Sequence, residues 1–157
     1  MQPAEIEALY RRYGTFVLRR ARTLLGDDAM AFDVMQDVFT RLVSGQDEFR
    51  GESSPLTFLY QVATHRCLNL IRDALTKGRL LALEPRGEAG PTTPEQSVAV
   101  AELLRAVPED LREIAVYYFV DQMDQQEIAT LTGVSRRTIG NRLDAFKTLA
   151  RAAGAER

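Results

Sequence analysis

Tryptophan is absent from this chain of 157 residues, and cysteine and histidine occur once each. A single cysteine, Cys67, excludes an internal disulfide, and a single histidine, His65, leaves no metal-ligand cluster. Metal or thiol catalysis therefore lacks partners, an enzyme is the least favoured class, and no cofactor or metal is expected. Cys67 lies beside the apolar Leu68 and reads as a buried small residue rather than a redox switch. No run approaches the roughly 20 apolar residues of a membrane span, so no direct membrane insertion is expected. The first residues, MQPAEIEALYRRYG, lack a signal peptide's apolar segment, and a cytoplasmic location is expected. Hydrophobic residues nevertheless make up 45% of the chain, which supports packed cores and argues against wholesale disorder. The length suits one ordinary domain or two small helical ones.

Apolar residues recur at three- and four-residue spacing along most of the chain, the signature of amphipathic helices. A first helix is expected from Pro3 to Leu25, with Leu9, Tyr13, Phe16, Val17, Leu24 and Leu25 inward and Arg11, Arg12, Arg19, Arg20 and Arg22 solvated. Gly26-Asp27-Asp28 stops it. A second runs from Asp28 to Val43, with Phe32, Met35, Val38, Phe39 and Leu42 as its buried stripe. Asp33, Gln36, Asp37 and Arg41 align on its polar side. After a polar loop, Pro55 opens a third helix ending near Leu75, with Gln61, His65, Arg66, Asn69 and Arg72 outward. These groups, near Phe58 and Tyr60, are compatible with single-strand contact or with a plain solvated helix over two core aromatics. From Lys77 to Pro94 the glycines and prolines break the pattern, which marks a linker. Helices resume over residues 95–107 and 109–118.

The stretch QQEIATLTGVSRRTIGNRLDAFKTLAR, from Gln125 to Arg151, reads as a helix-turn-helix. Gly133 suits a left-handed helix end and Ser135 an N-cap, and Ile139, Leu143, Phe146 and Leu149 then repeat helically. In such motifs the second helix enters the DNA major groove and touches bases through its N-terminal residues. Those residues here are Ser135, Arg136, Arg137 and Thr138, with Asn141 and Arg142 one turn on. Arg pairs bidentately with guanine and Asn with adenine. The bland alternative is a solvated basic face on a helical hairpin. Net charge is −2, yet its distribution favours DNA contact. Acids dominate residues 100–132, and bases dominate from Val134 onward.

Two helical units carrying these phrases in this order resemble the extracytoplasmic-function (ECF) sigma factors of bacterial RNA polymerase. AFDVMQDVFTRL, Ala31 to Leu42, is similar to the family's polymerase-binding phrase in region 2. TFLYQVATHRCLNLIRD, Thr57 to Asp73, is similar to the helix that melts and reads the minus-ten element. The rear stretch from Leu103 to Leu143 resembles region 4, with Val107-Pro108 standing where the family has Leu-Pro. The resemblance implies an all-α fold of two small domains, residues 1–76 and 95–157, joined by a flexible linker over 77–94. It places Asp33, Gln36, Asp37, Phe39 and Arg41 in the polymerase-binding phrase, where the charged residues meet a helical hairpin of the largest subunit; Phe39 reads as core rather than contact. It places His65, Arg66 and Asn69 at the minus-ten element, and assigns capture of a flipped base to the loop 47–54. Ser135, Arg136, Arg137, Thr138, Asn141 and Arg142 fall at the minus-thirty-five reading positions.

The chain departs from the family's usual Trp near Phe58, Asn near His65, Asp near Asn69, Lys at Gly140, and basic run at Asp144-Ala145-Phe146. The minus-ten preference therefore does not carry over, and fewer phosphate contacts are implied in the last helix. Expected partners are core RNA polymerase, promoter DNA and an anti-sigma factor, with regulation by expression alone as the alternative to the last. The rival function is a stand-alone helix-turn-helix transcriptional regulator, against which the exposed acids of AFDVMQDVF argue. A protein-interaction module such as an anti-sigma factor would not need Arg136, Arg137, Asn141 and Arg142.

Overall fold

A computed structural model describes residues 1–78 and 94–155. Its described residues are all-helical: α1 Pro3–Leu25, α2 Asp28–Val43, α3 Pro55–Thr76, α4 Pro94–Ala106, α5 Glu109–Ala115, a π-helical turn Val116–Val120, α6 Gln125–Thr132 and α7 Arg136–Ala155. The linker expected over 77–94 lies, apart from its first two residues and its last, outside the described residues. The chain forms two compact units, Met1–Glu102 and Leu103–Arg157.

Local chemistry fixes the helix ends of the first unit. Gly26 takes φ +70°, the left-handed conformation that closes α1, and its N–H donates to the Arg22 carbonyl at 2.9 Å. Asp27 then caps α2 by accepting from the Met30 N–H at 2.8 Å. Ser54 caps α3 ahead of Pro55 at the first helical position. The core is built from Val17, Ala21, Leu24 and Leu25 of α1, Ala31, Val34 and Val38 of α2, and Leu59, Ala63, Cys67 and Ile71 of α3, all essentially inaccessible to water.

Three expectations on this unit need correction. Phe16, expected inward on α1, is 40% exposed, because the inward stripe there runs Val17, Ala21, Leu24 and Leu25. Phe32, expected in the buried stripe of α2, is 49% exposed, because the inward stripe runs Ala31, Val34, Met35, Val38, Phe39 and Leu42. Arg20, expected on the solvated face of α1, is buried at 7% exposure. Its guanidinium lies 4.4 Å from the centroid of the Tyr60 ring, and Nη1 donates to Thr64 Oγ1 at 3.4 Å. The long side chain satisfies its head group against α3, a partner no periodicity count reveals.

In the second unit, Ile114, Tyr117, Ile128, Ile139 and Leu143 form one apolar cluster, and Val107, Leu111, Ala115 and Phe146 another. Arg112 is buried, and its Nε donates to the Leu104 carbonyl at 2.8 Å, tying α5 to α4. Burial pulls the Arg112 guanidinium below its ordinary range. The helix expected over 109–118 widens at Val116 into the π turn, where the Asp121 N–H reaches back five residues to the Val116 carbonyl. That turn holds five consecutive β-branched and aromatic residues. Tyr117 goes into the core, while Phe119 stacks on Phe146 with centroids 5.0 Å apart.

Candidate nucleic-acid interface

In the first unit, α2 turns Phe32, Asp33, Gln36, Thr40 and Val43 outward. Asp33 and Gln36 thus stand exposed, as the sequence expectation placed them. Asp37 and Arg41 are half-buried and engaged within the protein: Arg66 Nε donates to Asp37 Oδ2 at 2.6 Å, and Arg41 Nε to Asp47 Oδ2 at 2.7 Å. The Asp47 carboxylate raises the Arg41 pKa above its ordinary value. Phe39 is buried at 6%, with Tyr10 packed edge-on against it at 5.1 Å. The Tyr10 hydroxyl also accepts from Gln36 Nε2 at 3.4 Å. Tyr10 was not singled out in the sequence, because a partner 26 residues away leaves no local signal.

On α3, His65 is exposed while Arg66 and Asn69 are half-buried. The structure therefore joins one residue of the expected minus-ten set, Arg66, to one of the expected polymerase set, Asp37. Phe58 packs against Phe49 of the preceding loop at 5.2 Å, which anchors the 47–54 segment beside α3. Cys67 is buried, and loss of hydration pushes its thiol pKa up to about 12.

In the second unit the helix-turn-helix has the geometry its sequence signals require. Asp124 caps α6, accepting from the Glu127 N–H at 2.8 Å, and Glu127 reaches back to the Asp124 N–H at 3.4 Å, a capping box. The hydrogen bond from the Glu127 N–H, with Arg136 nearby, holds the Asp124 carboxyl below its ordinary range. Gly133 takes φ +74° and ends α6. Ser135 caps α7: its Oγ accepts from the Thr138 N–H at 3.2 Å and donates to Thr138 Oγ1 at 2.9 Å. The Ser135 and Thr138 hydroxyls are thus engaged with each other. Arg136, Arg137 and Asn141 are exposed and Arg142 half-buried, with Ile139 and Leu143 beneath them in the core. This arrangement can present guanidinium and carboxamide groups to base edges or phosphates. Among the described residues no cluster could hold a metal ion, and no helix is long and apolar enough to cross a membrane.

Comparison with known proteins bears on both units. Residues 9–76 match the family Sigma-70 region 2, and residues 97–144 match Sigma-70, region 4. The chain is 27% identical over 146 residues to "Probable RNA polymerase sigma factor RfaY" of Xanthomonas campestris pv. campestris, a match covering 83% of this chain and 36% of that protein. It is 38% identical over 71 residues to "RNA polymerase sigma factor YlaC" of Bacillus subtilis, covering 43% of this chain and 39% of that protein. The chain thus spans under two-fifths of each of these relatives. With region 2 and region 4 carried in this order on two helical units, the chain belongs to the sigma-70 family of RNA polymerase sigma factors, in its extracytoplasmic-function group.

Proposed function

We propose that the chain is an alternative sigma factor: it binds bacterial core RNA polymerase, directs it to promoters and helps to open the duplex, performing no chemistry itself. The observation that carries this reading is the presence of region 2 and region 4 on one chain, the latter ending in an α7 whose first turns expose Arg136, Arg137 and Asn141. In this reading residues 1–76 bind polymerase and the minus-ten element, 77–94 link, and 95–157 read the minus-thirty-five element. Asp33, Gln36, Asp37 and Arg41 meet polymerase, and the exposed Phe32 and Val43 add apolar area of the kind that marks docking surfaces. His65, Arg66 and Asn69 face the opened strand, where unstacking takes a few kcal/mol per base that the contacts offset. An anti-sigma factor that covers the outward face of α2 is the regulatory partner, and the protein acts in the cytoplasm.

Run-off transcription with purified core polymerase, on DNA from upstream of the protein's own gene, tests this. A discrete transcript that requires both proteins is expected. Failure to bind core together with tight binding to duplex DNA would make the protein a stand-alone regulator instead. Replacing Arg136 and Arg137 by Ala should lower promoter affinity by about 1–3 kcal/mol per lost base contact. Unchanged sequence preference in that variant would remove them from the reading face.

A further inference from the structure

Gly140 sits in α7 three residues after Arg137 and next to Asn141, at the seam between the buried Ile139 and Leu143 and the exposed Arg137, Asn141 and Asp144. Its φ is not positive, so left-handed freedom is not what a glycine supplies there. Space is. A Cβ on residue 140 would come within 3.4 Å of Gln125 Oε1, an ordinary contact, so the Gln125 side chain lies over the place a longer residue would fill. Gln125 opens α6, and the capping box of Asp124 and Glu127 fixes the backbone around it. Those two carboxylates disfavour a DNA phosphate at this end of α6, against the opposing pull of the nearby Arg136. A neutral carboxamide, by contrast, offers one donor and one acceptor that match a base edge.

We propose that Gln125 is a further base-reading residue of the minus-thirty-five interface, laying its carboxamide across Gly140 onto the reading face of α7 to pair with adenine. The proposal rests on the reading of α7 as the recognition helix. Two helices then contribute to one reading surface, with Gly140 as the opening through which the first helix reaches it.

The experiment uses holoenzyme assembled from core polymerase and the full chain, acting on promoters randomised across the minus-thirty-five element. Gln125→Ala should lose adenine preference at one base position by about 5- to 150-fold, with the other positions unchanged. Gln125→Glu keeps the shape but only accepts, so preference at that position should move towards cytosine. Gly140→Leu, which occupies the same space, should reproduce the loss seen with Gln125→Ala. Unchanged preferences in all three variants overturn the assignment. So does a uniform loss at every position with a shallower salt dependence, which would mark a phosphate contact. Arg137→Ala separates the two failures. If it shifts preference while the Gln125 variants do not, only the Gln125 assignment falls; if no variant shifts any preference, α7 is not the reader and both readings fall.

Discussion

The Asp37 carboxylate of α2 accepts a hydrogen bond from Arg66 Nε of α3 at 2.6 Å. One pair thus joins the helix assigned to polymerase to the helix assigned to the opened strand. Both side chains keep about a third of their surface in water, 33% for Arg66 and 38% for Asp37, so solvent screens the attraction. The pair should contribute no more than about 1 kcal/mol to stability. Its weight falls on geometry.

Asp37→Asn and Arg66→Gln should each lower the unfolding free energy by less than about 1 kcal/mol, and the double variant by less than their sum. Urea unfolding of the four proteins measures this. Transcription by the reconstituted holoenzyme should fall further than stability does in each single variant. A loss of activity that merely tracks stability would reduce the pair to a structural tie.

Arg20 should behave as a core residue despite its charge. Its guanidinium is buried over the Tyr60 ring, a desolvated cation–π contact of about 2 kcal/mol. Arg20→Met and Tyr60→Leu, taken singly and together through thermal or urea unfolding, should therefore show a coupling of about 1–2 kcal/mol. Strictly additive losses would mean that the two side chains pack without attracting one another.

Cys67 should be inert in the folded protein. Only the thiolate reacts, and burial holds the thiol near 12, against the opposing pull of Arg20 and Arg66. Iodoacetamide at mildly alkaline pH should leave the native protein unlabelled and modify it fully in denaturant. Labelling of the native state at the rate of a free thiol would show that α3 opens away from α1. Cys67→Ser, which buries a hydroxyl in the same place, should lower stability by about 1–3 kcal/mol if that hydroxyl finds no partner.

The start of α6 should respond to acid. Asp124 has a folded pKa depressed from its ordinary 3.8, chiefly through the hydrogen bond from the Glu127 N–H. A depressed pKa means that the contribution is complete above 3.8 and is lost as pH falls through the lower, folded value. Asn also caps helices well, so Asp124→Asn should match the parent at neutral pH and lose less stability on acidification. Thermal unfolding followed from about pH 5 down to about pH 2 reads the difference. Parallel acid limbs in the two proteins would assign the acid response to other carboxylates.

Much of the architecture was legible in the sequence because helix ends are decided within a few residues. Gly26 and Gly133 supply left-handed C-terminal turns, Pro55 sets a first helical φ, and Ser135 satisfies an amide three residues on. The three- and four-residue periodicity then indicates that a helix has an inward face. It does not fix which neighbouring element covers that face, and the errors fall there. Phe32 lies just off the buried stripe of α2 and Phe16 just off that of α1, whereas Arg20 lies just inside the stripe of α1.

The sequence by itself determined the all-helical class, the order of the elements and the chemical types gathered on α2, α3 and α7. These follow from propensity, capping and period, all local in origin. Only the tertiary structure decided that Asp37 meets Arg66, that Arg20 meets Tyr60, and that the Gln125 carboxamide lies over Gly140. Those partners are 29, 40 and 15 residues apart in the chain. Helix packing geometry brings them together, and that geometry is set by the side chains of two helices at once.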